Sequence, residues 1–208
     1  MLDLETLVIF IPIALALNLT PGADMLFCLG QGMKSGPRSG IAASFGISTG
    51  SFLHSLAAGL GLAALIAAHP MAFEVIRWAG VIYLVLLAIT TFRAPVGVLH
   101  ATDVAVSGAF RAYRTGIVVN LLNPKVALFI LALVPQFVDP ARGSVLGQFL
   151  QCGAILVVGG TVINGLVGGF AGSIGQVLAR NVSLARGMQY ATSLVFLGLA
   201  TKLALDRR

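Results

Sequence analysis

A proline and a glycine interrupt the first apolar run of this chain near its middle. Pro21 lacks a backbone donor and clashes with the preceding turn, and Gly22 beside it weakens a helix further. Asp24 follows in the same run and places a carboxylate where insertion into a bilayer costs about 2.5–3.5 kcal/mol. In hydrocarbon each freed backbone group must find a partner within the protein. The stretch therefore predicts a substrate or ion site at a broken helix, or alternatively a kink with a satisfied Asp.

The composition indicates an integral membrane protein. Of the 208 residues, 58% are hydrophobic and 10% are charged, and the mean hydropathy is +0.98. A soluble domain of this size does not need so much apolar surface, whereas about 20 apolar residues per bilayer crossing would use it. The net charge of +6 comes from Lys and Arg that lie mainly between apolar runs. Orientation and contact with anionic lipid explain this charge, so we expect membrane lipid as a partner and no nucleic acid.

The first apolar run is expected to be a membrane helix and not a secretory signal. Ala14-Leu15-Ala16 could be mistaken for a cleavage site, but Asp3 and Glu5 precede the run and no Lys or Arg does. A signal peptide carries the opposite charge at its start.

Six apolar segments are expected to cross the membrane, with a short polar turn at 31–40 between the first two. Seven Lys and Arg then fall on one side and five on the other, which favours both termini outside, although a five-crossing arrangement would move the C-terminus inside. Pairs of small residues in the second and fifth segments predict close helix packing and leave a homodimer open. The expected segments are Leu7–Leu29, Ile41–Ala68, Phe73–Phe92, Thr115–Val138, Val145–Ile174 and Met188–Leu205.

The fourth segment is broken in the same way as the first. Asn120–Pro124 repeats the pattern of Asn18–Pro21 with one residue added, and the two prolines lie 103 positions apart. An odd number of crossings per half makes the second half point the opposite way across the membrane. The pattern predicts an all-α fold of two inverted three-helix repeats, residues 1–93 and 113–208, joined by a linker at 94–112. Two coincidental proline kinks are the alternative explanation.

The two breaks carry opposite charges, Asp24 and Lys125. Together they could match the ammonium and the carboxylate of an amino acid, with half-helix ends assisting. Alternatively, Asp24 and Lys125 pair with each other, or Lys125 extends to the membrane interface. The candidate substrate-binding residues are Asn18, Thr20, Pro21, Gly22, Asp24, Asn120, Asn123, Pro124 and Lys125.

Proton coupling would need a titratable group near this site. Asp24 is the first candidate, and His54 in the second segment is the other. A single His in such a helix is more often a hydrogen-bonded packing residue than a proton relay, so both interpretations of His54 stay open.

Four motifs follow one another along the chain: Thr20–Asp24, Arg77–Gly80, Asn120–Lys125 and Pro135–Phe137. In this order they resemble the LysE/RhtB family of bacterial amino-acid exporters. Ala23 departs from the family pattern, which often has a second proline there. The resemblance implies a six-helix, multi-pass exporter in the bacterial inner membrane that moves an amino acid or close derivative by proton exchange. Because family members differ in cargo, the resemblance does not identify the amino acid.

Other functions fit the residues less well. Three His, two separated Cys and one intramembrane acid are too few ligands for a transition-metal site, so no metal or cofactor is expected. We take Asp24 to have no second acid within the membrane for a catalytic pair, and no Walker motif is present, so neither an enzyme nor an ATPase is expected. One acid and one base favour a small zwitterion. An exporter of an inorganic cation or another small solute on the same fold is the alternative.

Overall fold

A computed structural model describes residues 2–68, 72–93, 105–173 and 182–205. These residues form α-helices and two short 3-10 turns, with no strand among them, so the prediction of an all-α fold is confirmed. The helices are α1 (Leu4–Leu19), α2 (Ala23–Ser35), α3 (Pro37–Ala68), α4 (Ala72–Arg93), α5 (Ala109–Leu121), α6 (Pro124–Leu133), α7 (Val145–Gly169) and α8 (Val182–Leu205), and the 3-10 turns are Val134–Phe137 and Pro140–Arg142.

Both predicted breaks are present. The axes of α1 and α2 differ by 52° across Pro21, and α5 differs by 53° from the helical stretch that begins at Pro124. The second break has a side-chain cap, because Asn123 Oδ1 accepts a hydrogen bond from the Lys125 backbone N–H at 3.0 Å. Pro124 occupies the first turn of α6, where a missing N–H has no cost.

The expected polar turn at 31–40 is wrong. α2 continues to Ser35 and α3 begins at Pro37, so Gly36 alone connects them, with φ of 86°. Glycine adopts this left-handed conformation without a Cβ clash, and proline readily starts the next helix. One residue is therefore enough to reverse the chain. Farther along, α5 begins at Ala109, inside the expected linker, whose residues 94–104 lie outside the described part of the chain.

Helices α3 and α7 pack face to face at the centre of the molecule. A Cβ added to Gly168 would lie 2.6 Å from the carbonyl of Gly40, so the two backbones are in direct contact. Farther along the same crossing, Ser48 Oγ and Thr161 Oγ1 are hydrogen-bonded at 2.5 Å. Small residues permit this close approach, as the sequence predicts for these two segments.

Each broken helix packs on the long helix of the other half of the chain. Asn18 in α1 lies against Gly159 and Gly160 of α7, and its Nδ2 donates to the Leu156 carbonyl at 3.2 Å. Asn120 in α5 lies against Gly50 of α3. Both breaks are thereby brought to the same central region.

Apolar side chains also cover the outer surface. On α1 they recur every three to four residues, at positions 4, 8, 11, 15 and 19, and each is more than 40% exposed. A stripe of this kind exposed to water would be unfavourable, whereas lipid accepts it.

Length and hydropathy identify between one and three membrane spans in the described residues. Taken by itself, α7 passes this test, and the two bent pairs, Leu4–Ser35 and Ala109–Phe137, pass it if each counts as one span. The apolar stretch Trp78–Arg93 in α4 is shorter. The arrangement of six crossings stays a prediction.

Candidate functional site

A small cavity lies between the two breaks and is enclosed by α3 and α7. The centre of a water-sized sphere can occupy about 30 Å³ of it, which is room for about two water molecules. Six of the nine candidate residues line this cavity. The lining consists of Leu17, Asn18, Thr20, Gly22, Asp24, Met25, Ile47, Ser48, Ser51, Asn123, Lys125, Val126, Ile130, Leu156, Val157, Gly160 and Asn164. The other three candidates, Pro21, Asn120 and Pro124, lie behind it.

Lys125 extends across the cavity to the first break. Its Nζ donates to the carbonyl of Leu17 at 3.1 Å and to that of Thr20 at 2.9 Å. In an unbroken helix the Leu17 carbonyl would accept from residue 21, but Pro21 has no N–H. The Thr20 N–H reaches the Leu17 carbonyl at 3.3 Å, and the ammonium adds a second donor there and supplies the donor of the Thr20 carbonyl. The negative end of the α1 dipole also favours a cation at this position.

The position of Lys125 bears on the two alternatives given for it, an ion pair with Asp24 and an extension to the membrane interface. Among the described residues, Lys125 and Asp24 form no ion pair within 4.0 Å. Nor does the side chain run to an interface, because its Nζ ends between the Leu17 and Thr20 carbonyls. Asp24 and Lys125 share one cavity with their charges apart.

One carboxylate oxygen of Asp24 accepts a hydrogen bond from the protein, and the other is unpaired. Asn120 Nδ2 donates to Asp24 Oδ2 at 2.8 Å, and Ser51 Oγ donates to Asn120 Oδ1 at 3.3 Å. Asp24 Oδ1 is buried and has no hydrogen-bond donor of good geometry in the described part of the chain, with the Asn123 side-chain amide as a polar neighbour of the carboxylate. A buried oxygen without a donor loses its hydration and gains nothing in return, so this atom is suited to receive a donor from a bound molecule.

His54 does not line the central cavity. Its Nε2 lies 3.3 Å from the backbone carbonyl of Asn120, which requires the proton to be on Nε2. Asn120 is four residues before Pro124, so its carbonyl lacks the usual helical donor, and the Asn123 N–H also donates to it at 2.9 Å. His54 instead faces a second, mainly apolar cavity of about 360 Å³ that includes Leu131 and Phe149.

Three polar residues that line the site were not among the candidates, Ser48, Ser51 and Asn164. Thr161 Oγ1 donates to the Val157 carbonyl at 2.7 Å, so Ser48 is the donor to Thr161. Asn164 is 5% exposed, and its Oδ1 makes no hydrogen bond within the described residues. The signal for Asn164 was present in the sequence, because an amide in the middle of a long apolar helix needs a partner.

Residues Gly46–Gly50 read G-x-S-x-G, the pattern of a nucleophile elbow. In hydrolases that pattern lies on a sharp turn between a strand and a helix. Here it lies within α3, and the Ser48 hydroxyl is hydrogen-bonded to Thr161. This arrangement differs from that of a serine nucleophile.

Contacts between the two halves of the chain fasten both ends of the bundle. At one end Asp3 pairs with Arg142, whose Nε also contacts Asp139 Oδ2 at 3.2 Å; we call this group the Asp3 clasp. Hydrogen bonds from Thr6 and the charge of Arg142 hold the pKa of the Asp3 carboxyl well below its usual range.

At the other end, Ser107 is bonded to three residues of the α2–α3 hairpin. Its N–H donates to Ser35 Oγ at 3.0 Å, its Oγ donates to Gln31 Oε1 at 2.9 Å, and its carbonyl accepts from Ser39 Oγ at 3.0 Å. We call this group the Ser107 clasp. Both clasps are formed in this conformation.

The chain is similar to one protein family and to several bacterial membrane or efflux proteins. Residues 15–207 match the profile of the family described as LysE type translocator. The chain is 34% identical over 142 residues to the homoserine/homoserine lactone efflux protein of Salmonella typhimurium, covering 68% of each. It is 28% identical over 203 residues, 98% of each, to an uncharacterized membrane protein of Vibrio cholerae. A third relative, the membrane protein PA4757 of Pseudomonas aeruginosa, is 29% identical over 193 residues, covering 89% of this chain and 88% of the relative. No solved structure matches.

Proposed function

The chain belongs to the LysE type translocator family, and from this premise we propose that it exports a zwitterionic amino acid or close derivative across the bacterial inner membrane in exchange for protons. One observation carries the proposal. The cavity between the breaks presents a free carboxylate oxygen of Asp24 and the ammonium of Lys125 without an ion pair between them. The names of the Salmonella relatives, which specify homoserine efflux, support an amino-acid cargo.

The substrate ammonium would bind at Asp24 Oδ1, which has no other donor in the described structure. Its carboxylate would bind beside Lys125. An ammonium has three N–H donors, and Lys125 uses two of them for the Leu17 and Thr20 carbonyls, so one is available. The start of α2 is near, and its cap residue Gly22 supplies no side-chain acceptor for the first N–H groups. Helix starts of this kind attract carboxylates in transporters with broken helices.

We propose that the chain forms six crossings as two inverted repeats. The carbonyls left open by Pro21 and Pro124 belong to Leu17 and Asn120, and a basic side chain from another helix contacts each of them. Each broken helix also packs on the long helix of the other half. Such reciprocal arrangements are typical of inverted-repeat transporters.

This conformation, with both clasps formed, corresponds to an intermediate of alternating access. The cavity of about 30 Å³ has room for about two water molecules and is too small for an amino acid. Opening to one side would require release of either the Asp3 clasp or the Ser107 clasp, while the other stays formed. Substrate binding then has to expand the site and close it again.

Proton exchange follows from competition at Asp24. A protonated carboxyl no longer attracts an ammonium, so a proton arriving from outside would displace the substrate there, and its loss inside would restore the site. His54 remains a second candidate, because it contacts the Asn120 carbonyl from the side of the apolar cavity.

The test is counterflow in proteoliposomes that contain the purified protein, with a panel of labelled L-amino acids including homoserine and an imposed pH gradient. We expect one or a few amino acids to move against the proton gradient and a protonophore to stop them. Amino-acid transport that continues unchanged in the presence of the protonophore would contradict proton exchange. Movement of an inorganic cation and of no amino acid would contradict the substrate class.

A further inference from the structure

Resting on the proposed function, we propose that Asn164 determines specificity by accepting a hydrogen bond from the substrate ammonium beside the free oxygen of Asp24. Asn164 is on α7, the long helix that faces the first break across the cavity. Asp24 and Asn164 would bind one amino group from opposite walls.

The state of the Asn164 side chain points to a ligand. Asn164 is buried, with only 5% of its surface exposed, yet its Oδ1 has no hydrogen-bond donor among the described residues. Most buried amides have their polar atoms paired, because an unpaired one destabilises the fold. Asn164 differs from the other unpaired buried amide of the described residues, Gln189, because it lines the cavity. Asp24, whose Oδ1 is also unpaired, lines the same cavity.

The neighbouring groups favour an ammonium over an anion at this position. Ser48 and Ser51 use their hydroxyl protons on Thr161 and Asn120, so their oxygens offer lone pairs to the cavity. Asp24 and Asn164 add two further acceptors. The cation of Lys125 lies at the first break, where it is bound to carbonyls of α1. This division of the cavity gives an acceptor side and a donor side, which is the polarity of an α-amino acid.

The experiment measures equilibrium binding of a panel of labelled L-amino acids, including homoserine, to the purified full-length protein. The best-bound member is compared with its N-acetyl form, which lacks the ammonium. Asn164→Leu keeps the side-chain shape and removes the acceptor, and we expect it to weaken binding of the free amino acid about 10- to 100-fold. Binding of the N-acetyl form should stay unchanged, whereas a general folding defect would weaken both.

Gln189→Leu is the matched control. Gln189 is also a buried amide with an unpaired Oε1, but it is on α8 and does not line the cavity, so its substitution should leave both affinities unchanged. Asn164→Asp retains an acceptor and should bind the free amino acid at least as well as the wild type. If Asn164→Leu does not insert, Asn164→Ala supplies the same test.

Wild-type affinity in Asn164→Leu or Asn164→Ala would overturn this inference and leave the proposed function intact. Equal weakening of the free and acetylated forms would also overturn it, because the residue would then be structural. Absence of amino-acid binding and counterflow by the wild type would overturn the proposed function, and this inference with it.

Discussion

The two proline breaks bend the chain by nearly the same angle, 52° and 53°, but the backbone groups freed at the two breaks have different hydrogen-bond partners. At the second break, Asn123 caps α6 and donates its own N–H to the Asn120 carbonyl. At the first, the α2 cap is Gly22 without a side-chain bond. The Thr20 N–H reaches the Leu17 carbonyl at 3.3 Å, and the Thr20 carbonyl depends on Lys125 from the other break. The second break is therefore capped by its own side chain, whereas the first has no such cap and takes the donor for its Thr20 carbonyl from the other half of the chain.

We infer from this difference that the second break mainly supports the site and that the first break binds substrate. A break that satisfies itself can serve as a rigid support, and the second break also supplies the cation. A break with an uncapped helix start and a free carboxylate oxygen has binding capacity left over. We infer that substrate chemistry is concentrated at the first break, and the substitutions below are ordered by how strongly they should reveal this.

Asp24→Asn should reduce export to background while leaving the protein inserted. An asparagine oxygen can still accept from Asn120, so the packing is retained, but the charge that attracts an ammonium is lost. Counterflow and membrane content measure the two effects. Glu5→Gln, which removes an exposed acid outside both the cavity and the Asp3 clasp, should export normally. Normal export by Asp24→Asn would remove Asp24 from the mechanism.

Lys125→Met should lower both export and thermal stability. The Thr20 carbonyl would lose its donor, which costs about 1–3 kcal/mol for a buried carbonyl, and the Leu17 carbonyl would keep only the Thr20 N–H at 3.3 Å. Unfolding of the purified protein in detergent and the kinetics of counterflow measure these losses.

His54→Leu is the comparison from the second break. Its loss of stability should be smaller, because the Asn120 carbonyl keeps the Asn123 N–H. Equal losses in the two variants would refute the proposed difference between the breaks. Wild-type kinetics in Lys125→Met would show that Lys125 does not contact substrate.

Gly22→Ser should give the first break the local cap that it lacks. A serine cap stabilises a helix start by only a few tenths of a kcal/mol relative to glycine, but its oxygen would occupy N–H groups proposed for the substrate carboxylate. We expect weaker substrate binding by several-fold with slightly higher stability. Gly22→Ala is the control: its Cβ would lie 3.6 Å from Lys125 Nζ, an ordinary contact, and affinity should be retained.

Asp3→Asn, which weakens the Asp3 clasp, should have the smallest effect of these substitutions and should leave the structure of both breaks unchanged. The lowered pKa of Asp3 means that its contribution to stability is complete above about pH 4 and declines as the pH falls below that value. The difference in melting temperature between the wild type and Asp3→Asn should therefore be constant from pH 5 to neutral and shrink in acid. A difference that grows in acid would contradict this assignment.

Local signals predicted the framework of the site. Proline acts on the carbonyl four residues earlier, and a charge within an apolar run is visible by itself, so Pro21, Asp24, Pro124 and Lys125 could be located from sequence. The polar turn predicted at 31–40 was wrong because its polar residues suggested a loop, yet Gln31 is buried and bonded to Ser107. The fold decides whether a polar residue faces solvent or another helix.

The choice of partners could not be read from sequence. Opposite charges at two breaks suggested an ion pair, but only the packing of the helices places Lys125 at the carbonyls of α1 and not at Asp24. Asn164 becomes part of the site because α7 faces the first break, which is a tertiary relation. That the candidate residues bind substrate stays a prediction.

The glycine contacts that α7 makes with α2 and α3 affect how mutational scans of this protein should be interpreted. A single methyl group at Gly32 would lie 2.0 Å from the Gly168 carbonyl oxygen, and one at Gly40 would lie 2.3 Å from it. Even alanine, the most conservative replacement, is therefore excluded at positions that touch no cargo. In a saturation library these glycines should be as intolerant as Asp24. Only an assay that scores protein abundance separately from transport would distinguish the two kinds of intolerance.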